Sequence, residues 1–161
     1  MALWTTGELV TAARLTTYTG TKEVFFPFLS QFNGTDTIAI WGIGGATLVT
    51  ANDYARLIFL VPYDFGAIVE TKIIVIPAAT TAHANWDITA TYASVGQAYN
   101  THAVSDTATL YNVTDSQLYG VDAATILASI VAGDSGYITF LLADSNDDVI
   151  VRGLYLKYTV A

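Results

Sequence analysis

The sequence predicts an all-β fold, an antiparallel jelly-roll-like β-sandwich with one short helix and an N-terminal arm. The chain has 161 residues, which suits one domain with its own hydrophobic core. Its ten tyrosines, seven phenylalanines and three tryptophans, together with many Val, Ile and Thr residues, favour strands. Short runs of alternating apolar and polar residues, separated by Gly, Asn and Asp, predict seven to nine strands, as in a sandwich or a jelly roll.

Nine runs are the predicted strands. They span residues 37–43, 47–50, 56–62, 70–76, 85–92, 107–113, 118–121, 137–143 and 149–158. In two of these strands the apolar residues alternate with polar ones, so one set of side chains is expected to face inward. The inward sets are Trp86, Ile88, Ala90 and Tyr92 in the first strand, and Ile138, Phe140 and Leu142 in the second.

One short helix is predicted over residues 122–132. Its first residue, Asp122, is a suitable N-cap, and Ile126, Leu127 and Ile130 form an apolar stripe. Gly133 follows directly and marks the end of the helix. A helix in this position would close one end of the sandwich.

Residues 1–35 are predicted to form an N-terminal arm, and residues 36–161 the sandwich. The segment 24–29 has three phenylalanines in six positions, which would be a costly exposed patch if the arm were free in solution. We therefore expect the arm to dock on the sandwich or on a neighbouring subunit. The predicted intersubunit residues are Trp4, Leu9, Phe25, Phe26 and Phe28.

The composition indicates that the protein associates with other copies. Hydrophobic residues make up 53% of the chain and charged residues 12%, against about 25% in an average protein. A small domain cannot bury this much apolar material alone. Lipid is the weaker destination, because the longest apolar runs, residues 54–61 and 73–79, are far shorter than the ~20 residues of a membrane-spanning helix. We expect a homo-oligomer, a trimer or a dimer, without a secretory signal peptide and without membrane contact.

The net charge argues against a nucleic-acid partner. Fourteen acidic and six basic residues give a formal charge of −8, and such a surface repels phosphate backbones. The chain has no cysteine, which excludes disulfides and thiolate metal sites. Nothing in the sequence calls for a cofactor.

The candidates for catalysis do not form a recognisable motif. His83 and His102 are each followed four residues later by an aspartate, Asp87 and Asp106, and Ser105 lies close to His102. A Ser/His/Asp arrangement needs a nucleophile on a sharp turn such as G-x-S-x-G, which is absent from the sequence. Paired carboxylates for glycoside hydrolysis are limited to Asp87 with Glu70, if these lie on neighbouring strands. We predict that the protein is not an enzyme.

The acidic loop at residues 144–148 is predicted to be a hairpin turn between two apolar strands. The alternative is a Ca²⁺ site with Asp144, Asn146 and Asp148 as ligands, since hard cations take carboxylate and carbonyl oxygens. The loop lacks the glycine and the terminal glutamate of an EF-hand, so we expect no metal. Exposed aromatic rings leave a sugar-binding site open, with Tyr99 and Tyr119 as the candidates.

Residues 4–15, WTTGELVTAARL, resemble a short opening found in many tailed-phage structural proteins. That opening has a Trp, a Gly-Glu pair, one or two apolar residues and then Thr-Ala-(Ala/Ser)-x-Leu-Asn, and here Thr16 replaces the Asn. The C-terminal half resembles the jelly-roll domains of phage virion proteins in residues 98–102, 121–122, 126–134 and 152–158. Similar endings occur in carbohydrate-binding sandwiches.

The resemblance implies a virion protein that is assembled in the host cytoplasm. Its implied role is capsid decoration, in which an oligomer binds the major capsid protein or other virion proteins and stabilises the capsid surface. A head or tail fibre, or a self-assembling extracellular fibre subunit, is the first alternative. A carbohydrate-binding module is the second.

Overall fold

The computed structural model describes residues 20–28, 30–32, 40–41, 45–107, 109–144 and 147–161, and these residues form two antiparallel sheets. The twelve strands are β1 (Thr21–Pro27), β2 (Ser30–Phe32), β3 (Ile40–Trp41), β4 (Gly45–Leu48), β5 (Tyr54–Leu60), β6 (Phe65–Pro77), β7 (Thr81–Ala93), β8 (His102–Asp106), β9 (Leu110–Val113), β10 (Tyr119–Asp122), β11 (Ser135–Leu142) and β12 (Val149–Val160). The predicted all-β class and the two-sheet sandwich are confirmed.

Sheet A is built around β12, and its strands follow the order β10-β6-β12-β4-β3. β6 pairs with β12 along almost its whole length. On the other edge of β12, β4 pairs with residues 149–151 and β1 with residues 153–159. β1 and β4 therefore lie end to end beside β12.

Sheet B follows the order β2-β5-β11-β7-β8, and β9 pairs with the first part of β7. The chain passes from one sheet to the other at almost every connection between β4 and β7 and between β9 and β12. One hydrophobic core fills the space between the sheets.

The inward-facing residues of β7 and β11 are those that the sequence predicts. All seven predicted side chains are buried: Trp86, Ile88, Ala90, Tyr92, Ile138, Phe140 and Leu142. Within the core the Trp86 ring stacks on Tyr111, with 5.5 Å between ring centroids, and packs against Phe140. Large aromatic side chains thus supply much of the apolar contact that holds the two sheets together.

The predicted helix is wrong, because residues 124–129 form consecutive turns. The amide of Leu127 bonds to the carbonyl of Ala123 as in an α-helix, but the amide of Ile130 bonds back only three residues, to Leu127. The Asp122 carboxylate does accept the amide of Ala124, at 3.0 Å. Starting a helix is unfavourable and a short one depends on packing, and here the turns already bury the apolar side chains.

The hairpin predicted at residues 144–148 is also wrong, because β11 lies in sheet B and β12 in sheet A. The loop crosses between the sheets. Asp147 fastens it to β7, where its carboxylate accepts the amide of Asn85 at 2.8 Å and its carbonyl accepts Nε1–H of Trp86 at 3.0 Å. The apolar strands on both sides of the loop resemble a hairpin in sequence, but they pair with different neighbours.

Two buried aspartates hold the turns at opposite ends of the molecule. The carboxylate of Asp53 accepts two backbone amides of the turn between β4 and β5. The carboxylate of Asp134 accepts the amide of Val131 at 3.0 Å and the hydroxyl of Ser94. Hydrogen bonds offset the cost of burying these carboxylates.

The described part of the predicted arm belongs to the two sheets, since β1 pairs with β12 and β2 with β5. Phe28 is buried in the core, and Phe26 packs edge-on against Phe59 at 6.3 Å between centroids. Phe25 is half exposed on the outer face of sheet A, whereas Trp4 and Leu9 lie outside the described residues. The intersubunit role of these side chains stays a prediction.

We predict that Gly153→Ala destabilises the protein by roughly 1–3 kcal/mol, as overpacking does. A Cβ at residue 153 would lie 2.3 Å from the Phe25 ring and 2.5 Å from the carbonyl oxygen of Phe26, so β1 would have to shift. Urea denaturation measures the change. Gly120→Ala is the matched control, because the nearest atom there is Cδ of the flexible Lys72 side chain. Equal stabilities of the two variants would contradict this account of β1.

Candidate assembly surface

An exposed apolar patch lies where β5 meets the next loop. Side chains alternate along β5, so Leu57 and Phe59 enter the core while Ile58 and Leu60 point outward. Ile58 is 78% exposed and Leu60 49%. In the neighbouring strand β11, Tyr137 lies opposite Ile58.

The loop residues Tyr63 and Val131 extend this surface. Tyr63 is 80% exposed, and its ring lies over Gly133, where a Cβ would be only 3.1 Å away. Val131, in the same turn as Gly133, is 53% exposed. We call Ile58, Leu60, Tyr63 and Val131 the β5 patch.

The strand edge beside the patch is open in the described part of the chain. β2 pairs with residues 54–56 of β5, and no described strand pairs with residues 57–60 on that side. An open edge presents backbone N–H and C=O groups that can pair with another chain. The β5 patch therefore combines exposed apolar side chains with backbone groups suited to association.

A cluster of one arginine and two tyrosines borders the patch on the outer face of sheet B. The Arg56 guanidinium lies 4.8 Å from the ring centre of Tyr137 and 5.5 Å from that of Tyr54. Its Nε–H donates to the hydroxyl of Thr139 at 3.3 Å. These cation–π contacts hold the long side chain against the sheet.

Asp64 ties the loop between β5 and β6 across the end of sheet A. Its carboxylate accepts hydrogen bonds from Lys22 of β1 and from the Tyr158 hydroxyl of β12. Its carbonyl accepts the amide of Ala161 at 2.9 Å. The hydrogen bond from Lys22 lowers the pKa of Asp64 below its ordinary value, which favours the ionised form.

Ion pairs cover the outer face of sheet A. Lys157 lies 3.1 Å from Glu23 across the β1–β12 pair, and Lys72 pairs with Glu70 on β6. The hydrogen bond from Lys157, and then that from Tyr155, lowers the pKa of Glu23. Exposed pairs of this kind contribute little to stability.

The residues considered for catalysis do not come together. Ser105 points outward from β8, whereas His102 and Asp106 lie on the inner face, opposite inward-facing residues of β7. His102 stacks on Tyr92 with 4.9 Å between ring centroids. The carboxylate of Asp106 accepts the hydroxyl of Thr109. Ser105 therefore lies on the opposite face of β8 from His102 and Asp106, so the three side chains do not form a Ser/His/Asp triad.

The pair of carboxylates drafted for glycoside hydrolysis is separated as well. Glu70 lies on the outer face of sheet A and Asp87 on the outer face of sheet B, so the two carboxylates do not lie on neighbouring strands. His83 lies in the exposed first part of β7.

Of the metal candidates, Asp144 and Asp148 flank the crossover loop, and Asn146 lies outside the described residues. Within the described ranges no group of three or more His, Asp or Glu side chains is placed to hold a metal ion. Among the same described residues, no helix is long and apolar enough to span a membrane.

The two tyrosines considered for sugar binding differ in exposure. Tyr99 is 75% exposed in the loop between β7 and β8. Tyr119 is partly buried and packs edge-on against Tyr111, so it is not a free platform. Of these two tyrosines, only Tyr99 has an exposed ring.

Sequence reasoning did not identify the β5 patch. The signal is present in the run YARLIFLV, residues 54–61. The outward residues Ile58 and Leu60 are apolar there, as the inward residues are. Such a run predicts a strand that is covered on both sides. In the described chain one of those sides faces solvent.

No protein-family model and no curated protein matches the chain. Two solved structures align with it over most of its length. A family two carbohydrate esterase from Cellvibrio japonicus is 9% identical, with a TM-score of 0.42 over 89% of this chain and 35% of that one. An active-site mutant of a family two carbohydrate esterase from Clostridium thermocellum, in complex with celluohexase, is 12% identical, with a TM-score of 0.38 over 88% and 33%.

The chain thus spans about a third of the length of these two structures. Likeness at this level gives no indication of activity or ligand for this protein.

We predict that Asp64→Asn lowers the melting temperature slightly at neutral pH, since the pair with Lys22 is exposed, and that the difference from the native protein disappears in acid. The folded-state pKa of Asp64 lies below the ordinary 3.8, so its stabilisation is present above that pH and is lost as the pH falls through the folded-state value. Thermal melts between pH 2 and pH 8 measure it. Asp115→Asn, in an exposed turn, is the control, and a difference that persists unchanged at pH 2 would contradict the assignment.

Proposed function

We propose that this protein is a structural protein that assembles with copies of itself through the β5 patch. The observation that carries the proposal is the exposure of large apolar side chains on β5 and in the loops at its end, above all Ile58 and Tyr63. Contiguous apolar surface on a small domain marks an interaction site. Fully burying a side chain of the size of Ile58 contributes about 1.5–3 kcal/mol.

The residues around the patch support a protein partner. Interface centres are poor in charged residues other than arginine and rich in aromatic ones. Arg56, Tyr54 and Tyr137 lie beside Ile58, and the patch itself contains no carboxylate. Because the arginine is already held between two rings, little side-chain freedom is lost when a second copy covers it.

We propose further that the assembly decorates a virion capsid and stabilises its surface. This part depends on the resemblance of residues 4–15 and of the C-terminal half to phage virion proteins. The resemblance implies an oligomer, a trimer or a dimer, that binds the major capsid protein and is assembled in the host cytoplasm. A fibre subunit would use the same patch to form a filament instead of a closed oligomer.

We also propose that the sandwich is a jelly roll. The nested order of the pairs supports this, since β4 pairs with β12, β5 with β11, β6 with β10 and β7 with β8. Eight strands that pair first with last, in two four-stranded sheets, are what a double Greek key requires. Viral capsid proteins and lectins both use this architecture, so it does not choose between the functions.

A glycan-binding role is the second candidate. The observation that favours it is the Tyr54–Arg56–Tyr137 cluster on the outer face of sheet B, since tyrosine rings and guanidinium groups bind sugars in other sites. Arg56 lies over both rings and limits how far a sugar ring can stack there. A glycan that raises the melting temperature of a monomeric protein would favour this role over assembly.

We predict that Ile58→Glu converts the oligomer into single chains, because burying a carboxylate in an apolar interface is costly. Multi-angle light scattering across a range of concentrations measures the mass, and circular dichroism checks the fold. Ser105→Glu, at an exposed outward position of β8 in the same sheet, is the matched control and keeps the native mass.

An Ile58→Glu variant with the native oligomer mass would refute the role of the patch. Filaments in negative-stain images of the native protein would indicate a fibre subunit instead of a capsid decoration protein.

A further inference from the structure

A cavity of about 500 Å³ lies beside the first half of β6. The turn segment that follows β10 forms its second wall. Its lining residues are all apolar, and half of them are glycine or alanine: Phe65, Gly66, Ala67, Ile68, Val69, Ala124, Ala128 and Ile130. The cavity therefore suits an apolar segment and offers no group for catalysis or metal binding.

The cavity runs along an open edge of sheet A. β10 pairs with residues 72–75 of β6, and the amide of Ala123 reaches the carbonyl of Thr71 before the chain turns away. In the described chain no strand pairs with residues 65–70 of β6 on the side away from β12. Six residues of extended backbone, about 20 Å long, are thus open beside the cavity.

An open edge with an apolar groove next to it binds extended peptides as an added strand. The backbone of the edge supplies hydrogen bonds to the peptide, and the groove receives every second side chain. Val69, which lines the groove, is half exposed in the described chain, as an unoccupied edge requires.

The segment at residues 1–19 is an occupant of suitable composition and position. It contains Trp4, Leu9 and Leu15 and only two charged side chains, Glu8 and Arg14. The carbonyl of Gly20 accepts the amide of Val160, and Val160 lies opposite Phe65, the first residue of β6. The described chain therefore begins at the end of sheet A where the groove lies.

The Asp64 loop separates this starting point from the groove of the same chain. It crosses the end of sheet A and bonds to Lys22, Tyr158 and Ala161, which stand between Gly20 and β6. Nineteen residues can span about 60 Å when extended, so reach alone does not choose between the groove of the same chain and that of another copy, and the proposed self-assembly favours another copy.

We propose that the groove beside residues 65–70 binds residues 1–19 of a second copy as an added strand. The inference rests on the proposed self-assembly and deepens it by naming the site that receives the arm, and none of the groove residues belongs to the β5 patch. Exchange of arms then adds a second contact between copies, and the oligomer needs this contact as well as the patch.

The test uses the full-length chain and a labelled peptide of residues 1–19. We expect the peptide to bind in fluorescence anisotropy, and excess peptide to lower the oligomer mass by displacing the arms. Ala128→Trp fills the groove and should weaken peptide binding at least tenfold. Ala103→Trp, at an exposed position of β8, is the control and should bind like the native protein.

A second groove variant, Val69→Asp, keeps the test decisive if Ala128→Trp does not fold. Peptide binding that neither groove variant weakens would overturn the inference. Peptide binding with an unchanged oligomer mass would also overturn it, since the arm then occupies the groove of its own chain. If both groove variants keep the native mass while Ile58→Glu is monomeric, the inference fails and the proposed assembly through the patch remains.

Discussion

The structure depends on the alternation of side chains along the strands that face one shared core. In β7 and β11 the inward positions hold large apolar residues such as Trp86 and Phe140, and the outward positions are mostly polar. β5 obeys the same geometry but places apolar residues on both faces. The same rule that builds the core therefore also creates the exposed surface on which the proposed assembly is based.

The fold class and much of the core were predictable, because they depend on local patterns. Period-two alternation identified both the strands and their buried faces in β7 and β11, and a domain of 161 residues with many short strands has few alternatives. The excess of apolar residues also led to the prediction that another molecule covers part of the surface, which stays a prediction, and it did not indicate which part.

The elements that were not predictable depend on partners distant in sequence. Residues 122–132 have the spacing of a buried helix, but turns satisfy the same burial. β1 carries Phe25 and Phe26 in a segment predicted to be an arm, and its place in sheet A follows from pairing with β12 more than 120 residues later. The loop with Asp147 looks like a hairpin until the two sheets are known.

The candidate site was only partly predictable for the same reason. A run such as YARLIFLV shows that a strand is apolar on both faces, but the neighbours of β5 decide whether its outer face is covered. The residues drafted for catalysis were separated by strand geometry, since Ser105 and His102 alternate across β8. Which apolar side chains remain exposed thus depends on how the strands are paired, whereas the buried residues follow from the alternation of apolar and polar residues along each strand.

Sedimentation velocity of the unmodified full-length protein over a hundredfold range of concentration tests the central claim most directly. Self-assembly through exposed apolar surface predicts a discrete dimer or trimer whose fraction rises with concentration and persists in high salt, because hydrophobic association is not screened. A single-chain sedimentation coefficient at every concentration would contradict the account.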